Sequence, residues 1–306
     1  RIVRRKLMKN SQNIVCIGAA NIDKQLYLKS ELVNKSSNPV SSISVSGGVA
    51  RNLAYNIGKL SNKKTILLTL LGNDKEADYI LNEANKFIDL KHIKIIENMN
   101  TGMFTSVIDY NGEMICGFAD MDIYNLINNK YLNEKIEVIK NAGCVVVDSN
   151  IPKESIQYLI QLCGKSNIPI GIIPASIKKV RNILKNLAKI DYLIFNKKEA
   201  EAFWNVSLNT KSDYKKIKKI SKTSEIKNIV ITNGNDDIFY TNGELSIFKN
   251  VQQSSNIIND TGAGDVFSAS VFHYWLENYE VDNYLEMALF NACSTVSTIY
   301  NTSMIN

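Results

Sequence analysis

The chain has 306 residues, 45% of them apolar and 22% charged, which is enough to bury the core of a large globular domain. Its net charge of +6 reflects abundant Lys rather than a nucleic-acid footprint, and no apolar run reaches the roughly 18 residues of a membrane span. Two distant histidines, His92 and His273, and five scattered cysteines with no C-x-x-C pair argue against a His-based triad, a zinc ribbon or a redox motif, and fit a cytoplasmic protein.

Taken in chain order, residues 1–11 (RIVRRKLMKNS) are expected to be a basic stub left from an upstream segment. IVCIGAA (14–20) then reads as a strand buried on both faces, as do TILLTLLG (65–72), CVVVDSN (144–150), IPIGII (168–173), DYLIFN (191–196) and NIVITNG (228–234). Helical spacing falls between them, at 49–60, 76–87, 153–163, 177–187, 197–203 and 214–221. The basic run from Lys211 to Lys222 is thus expected to be a helix with one buried stripe. The alternation predicts an α/β fold: an open, mostly parallel sheet flanked by helices, as a single domain over 12–306. Two segments, about 25–46 and 103–119, alternate in period two and predict a small antiparallel β lid, the second turning at Asn111-Gly112.

Two glycine-rich stretches precede helices. In DTGAGD (Asp260–Asp265) the small residues Gly262, Ala263 and Gly264 stand at a helix N-terminus, where unpaired amides and the helix dipole favour an anion. A carboxylate at Asp265 beside such a cradle fits a base that takes a proton from an attacking hydroxyl. The second stretch is SGGVARN, where Gly47-Gly48 opens a helix and Asn52 follows one turn later, with donor and acceptor atoms suited to a diol. In GAANID, Asp23 stands just past the first strand, at the ligand edge of an α/β sheet. That segment lacks the G-x-G-x-x-G spacing of a dinucleotide fold.

With these residues in place the sequence resembles the ribokinase/PfkB-type carbohydrate kinases, from about Ile14 to about Tyr300. The resemblance rests on GGVARN, DTGAGD, the N-x-x-E pattern at Asn196–Glu199 and the T-x-G pattern at Thr232–Gly234, all in family order. Within the family, GAANID, the stretch NGEMICGFADMDIYN and Asn150 after CVVVDS are most similar to the pseudouridine kinase group.

The resemblance implies ATP-dependent phosphorylation of a ribose 5′-hydroxyl, with pseudouridine as the acceptor. Another sugar or nucleoside is the alternative, and a non-catalytic ligand sensor the remote one. It implies that Asp265 is the base and that the amides of Gly262, Ala263 and Gly264 bind the moving phosphoryl group. Asp23, Asn52, Gly47 and Gly48 would hold the ribose. Met121, Asn150 and the hairpin around Phe104 to Ser106 would complete the acceptor site. Asn196 and Glu199 would organise Mg²⁺ through water, and Thr232, Gly234 and Asn291 would line the nucleotide cleft. It also implies a homodimer through the lid and leaves a monovalent cation open. Ile173 departs from the pattern, because many relatives carry Asp or Asn there; Ser176 and Lys179 are the candidates to substitute.

Overall fold

The computed structural model describes residues 13–61, 64–183, 189–224, 226–251 and 262–295. The basic stub, Asp260 and Thr261 of DTGAGD and the chain end after 295 lie outside them.

Strand β1 (Ile14–Ile17) is the hub. From it the chain forms β2 (Asn21–Leu28) and β3 (Val40–Gly47), then enters helix α1 (Val49–Ser61) and returns as β4 (Thr65–Leu68) beside β1. Next come β5 (Leu70–Gly72), α2 (Lys75–Ala84), β6 (Ile88–Asp89) and β7 (Lys94–Ile96). A hairpin, β8 (Met103–Ile108) and β9 (Met114–Asp120), turns through Gly112 at φ +88, a conformation open to glycine. After α3 (Asn129–Glu134) and α4 (Ile136–Lys140), β10 (Cys144–Asp148) pairs with the other side of β1. The chain continues through α5 (Lys153–Ser166), β11 (Ile170–Ile173), β12 (Tyr192–Asn196), α6 (Lys197–Trp204) and α7 (Tyr214–Thr223). It ends with β13 (Ile229–Thr232), β14 (Ile238–Thr241), β15 (Ser246–Lys249), α8 (Ala263–Leu276) and α9 (Val281–Thr295).

The main sheet runs β15-β14-β13-β12-β11-β10-β1-β4-β6, parallel except for the antiparallel edge formed by β13, β14 and β15. The apolar runs predict this burial because successive side chains point to opposite faces. On one face Ile17, Val145, Val147 and Phe195 pack against Leu159 and Phe203; on the other Cys16, Val146 and Ile194 pack against Leu53 and Phe267. The basic run forms α7, with Tyr214 and Ile217 buried as its stripe.

Two expectations change. The small sheet, β3-β2-β8-β9, is mixed rather than antiparallel: β2 and β8 run parallel, because β8 arrives after a long excursion instead of a turn. In the described part of 177–187 there is only a 3₁₀ turn, Lys179–Asn182. There Asn182 donates to the carbonyls of Ser149 (3.0 Å) and Ile151 (3.2 Å), tying the segment across the end of β10.

Candidate active site

Strand order reverses at β1, whose neighbours are β4 on one side and β10 on the other. Ligands of open α/β sheets bind outside the carboxyl ends of strands at such a point. Here it is knitted by Asp148, the fully buried last residue of β10. Its carboxylate accepts from the amides of Ala19 (2.8 Å), Ala50 (3.0 Å) and Asn150 (2.7 Å). Burial pushes this carboxyl up, and the three N–H groups oppose that shift.

Asp23 lies on β2, where its Oδ1 accepts from Asn21 Nδ2 at 2.7 Å. It stands directly over Gly47, where an added Cβ would fall 2.2 Å from Asp23 Oδ2. Gly48 has φ +94, and a Cβ there would lie 2.4 Å from the Ala19 carbonyl oxygen. Both glycines therefore let α1 start hard against the β1–β2 connection, where the Arg51 amide donates to Ala19 O at 3.1 Å.

One turn into α1, Asn52 Nδ2 donates to Asp265 Oδ2 at 2.8 Å, across 213 residues of sequence. Its Oδ1 accepts from Arg51 Nη1 at 3.2 Å, and the buried Arg51 in turn pairs with Glu83 at 3.2 Å. Asn52 is therefore joined to Asp265 on one side and to Arg51 on the other. Asp265 makes no cap for its own helix: the N-cap is Gly262 at φ +85, with no side-chain cap bond. Burial pushes the Asp265 carboxyl up to about 7; the Asn52 hydrogen bond opposes this, and the charges of Asp23 and Asp148 add to it.

At the start of α8 the first amide bonded within the helix is that of Val266, to Gly262 O at 3.0 Å. The preceding amides have no partner inside the helix. A Cβ added at Gly264 meets none of the described residues within 4 Å. Small residues at a helix N-terminus, with amides unpaired within the helix, fit a phosphoryl group.

Asn196 closes β12 and caps α6 reciprocally: its Oδ1 accepts from the Glu199 amide, and Glu199 Oε2 accepts from the Asn196 amide, both at 2.9 Å. Burial pushes Glu199 up to about 7; its bond to the Asn196 amide opposes this, and the charge of Asp265 adds to it. Glu199 thus stands near enough to Asp265 to feel its charge. Thr232 ends β13 in register with Asn196, and Gly234 follows at φ +57.

Other sequence candidates sit differently. Asn291 is buried on α9 and spends its amide on Ser270 Oγ (3.0 Å) and Tyr274 OH (3.4 Å), in the seam between α8 and α9. Met121 packs partly buried against the core, and Asn150 is held by its backbone to Asp148. Ile173 is a core residue, while Ser176 Oγ accepts from the Lys179 amide at 3.2 Å. Sequence reasoning missed Asp148 and Arg51. A lone carboxylate closing the apolar strand CVVVD was the available signal for Asp148.

Comparison with known proteins agrees with this geometry. The model of the pfkB family carbohydrate kinases matches residues 11–304. The pseudouridine kinase of Escherichia coli (strain K12) is 30% identical over 271 residues, covering 88% of this chain and 86% of that protein. The ribokinase of Dictyostelium discoideum is 24% identical, covering 90% and 92%. The structure of Arabidopsis thaliana ribokinase complexed with ribose and ATP superposes with a TM-score of 0.81 at 18% identity, covering 94% of each chain, and shares the fold. The chain belongs to the pfkB family of carbohydrate kinases and is a phosphotransferase.

Proposed function

We propose that the chain transfers the terminal phosphoryl group of ATP to the 5′-hydroxyl of a ribose-containing acceptor, a sugar or a nucleoside, and that the acceptor is pseudouridine. The observation that carries this reading is the 2.8 Å hydrogen bond from Asn52 to Asp265. It joins the acceptor-side glycine stretch to the phosphoryl-side one and, among the described residues, leaves the second Asp265 oxygen for a hydroxyl.

In the reaction the acceptor oxygen bonds to the γ-phosphorus as its bond to the β-γ bridging oxygen breaks. ADP leaves, and the hydroxyl proton passes to Asp265. A carboxylate raised to about 7 is a better match to neutral pH than an ordinary one. The amides leading into α8 stabilise charge on the moving group. Asp23 and the Gly47-Gly48 backbone hold the sugar, and the small sheet acts as the lid that excludes water. Asn196 and Glu199 would hold Mg²⁺ through water; when bound, the ion neutralises charge on the nucleotide phosphates. Thr232 and Gly234 line the nucleotide cleft. Exposed apolar side chains on the edge strand β9, Met114 and Phe118, fit pairing of two lids in a homodimer.

Asp265→Asn tests the base. ATP affinity stays, while turnover drops roughly 10²–10⁴-fold; retained turnover removes the assignment. Product analysis with pseudouridine, uridine, ribose and a hexose fixes the acceptor, and preference for ribose would return the reading to its broader form.

A further inference from the structure

One charged residue of the GGVARN motif, Arg51, has no part in the reaction above. As a device for stability it is a poor choice. Its side chain is 3% exposed, while that of Glu83, its ion-pair partner among the described residues, is 36% exposed. Its Nε is buried with no hydrogen-bond partner among the described residues. A buried cation with one partly solvated partner gains little over a packed apolar chain of similar size. The guanidinium is nevertheless held closely from α1 and α2. It lies over the Tyr55 ring, 4.8 Å from the centroid and one turn along α1. Its Nη2 donates to Glu83 Oε2 at 3.2 Å, and Tyr79 donates its hydroxyl to the other Glu83 oxygen at 3.3 Å.

That hold brings Nη1 to Asn52 Oδ1 at 3.2 Å, while Nδ2 of the same amide donates to Asp265 Oδ2 at 2.8 Å. A carboxamide has an accepting end and a donating end of nearly equal shape. A guanidinium can only donate, and an ionised carboxylate can only accept. Both bonds therefore form in one orientation of the amide alone. Turned over, Asn52 would set its N–H₂ against the guanidinium and its oxygen against the carboxylate. Both bonds would be lost and two repulsions gained. The Arg51 charge also polarises the amide it binds, which strengthens the N–H donated at the other end.

We infer that Arg51 is a positioning residue for phosphoryl transfer. Clamped by Glu83 and Tyr55, it locks the Asn52 amide in the orientation that holds one Asp265 oxygen and presents the other to the acceptor hydroxyl. It acts through Asn52 rather than on a substrate. Glu83 and Tyr79, on α2, are the outer end of the same chain of contacts. This inference rests on the kinase reading above and adds to it a residue outside the reacting groups.

The test measures kcat and the KM for ATP in wild type, Arg51→Met, Asn52→Ala and the double variant. The acceptor is whichever of pseudouridine, uridine and ribose the wild type phosphorylates fastest. Met keeps an apolar stem against Tyr55 and leaves Glu83 to water. In Arg51→Met, kcat falls about tenfold, the worth of one hydrogen bond to a charged group, while the KM for ATP stays within about twofold. In the Asn52→Ala background the same change costs no further turnover, because the amide it orients is gone. Glu83→Gln removes the clamp's charge at the surface and lowers kcat about two- to threefold. It is likewise silent beside Asn52→Ala, and stands in if Arg51→Met does not fold. Wild-type kcat in Arg51→Met, whatever happens to Tm, overturns the inference and leaves the kinase reading intact. So does an equal fall with and without Asn52, which a merely structural role would give. Wild type that transfers phosphate to none of the three acceptors overturns the reading on which the inference stands, and the inference falls with it.

Discussion

The two glycine stretches look alike in sequence and do opposite things in space. At Gly47 and Gly48 the missing side chains are filled by protein: the Asp23 carboxylate and the Ala19 carbonyl stand where a Cβ would go, at 2.2 Å and 2.4 Å. At Gly264 the missing side chain leaves room that none of the described residues takes up. The first pair lets two parts of the chain touch. The other touches none of the described chain. A glycine motif is thus two signals, and only its surroundings tell them apart.

The sharpest way to break this contrast is Gly48→Ala. A side chain at φ +94 is strained, and its Cβ meets backbone that cannot rotate away. The expected cost is roughly 3 kcal/mol or more, read as a large drop in the urea midpoint or as failure to recover soluble protein. Gly264→Ala should do the reverse. It sits within α8, where Ala is favoured over Gly by about 0.5–1 kcal/mol, so Tm holds or rises by roughly 1–3 °C. Turnover should nevertheless fall about tenfold or more, because the methyl enters the space kept for the phosphoryl group. If both substitutions destabilise alike, the distinction between packed and open glycines fails.

A smaller effect sharpens the contrast through pH. Asp265 stands at about 7, above the ordinary carboxylate value of 3.8, so kcat/KM should fall as pH drops through 7 and the base takes up its proton. Stability should move the other way. The folded state binds this proton more tightly than the unfolded chain, so the group's contribution is complete below about pH 4 and is lost as pH rises through 7. Tm measured from pH 5 to pH 8 should decline, and Asp265→Asn should lessen that decline. Glu199, also pushed up to about 7 by burial, sustains the remainder.

How far the sequence could be read follows from the range of each interaction. Runs such as CVVVD announce a strand buried on both faces because the cause is local, and the helix starts at Val49 and Lys197 follow from their neighbours. The hairpin β14–β15 carries its own Asn242-Gly243 turn signal, and α9 shows apolar residues at helical spacing in Tyr284, Leu285, Ala288 and Leu289; neither was singled out. The roles of the site residues were less legible. Asp265 is orientated by Asn52 from 213 positions away, and Asn291, expected at the nucleotide, is held by Ser270 and Tyr274 inside a helix seam. Which partner satisfies a polar side chain is decided by packing that no local window contains.

Asp148 carries a consequence for how the molecule is made. Its three donors belong to the ends of β1 and β10 and to the first turn of α1, segments up to 129 positions from it in sequence. Until all have converged, a charge is sealed from water without its full set of partners, so half-built versions of this corner are penalised. The acceptor pocket should therefore mature in a single concerted step late in folding, and a chain arrested before that step should hold its outer helices while binding no sugar.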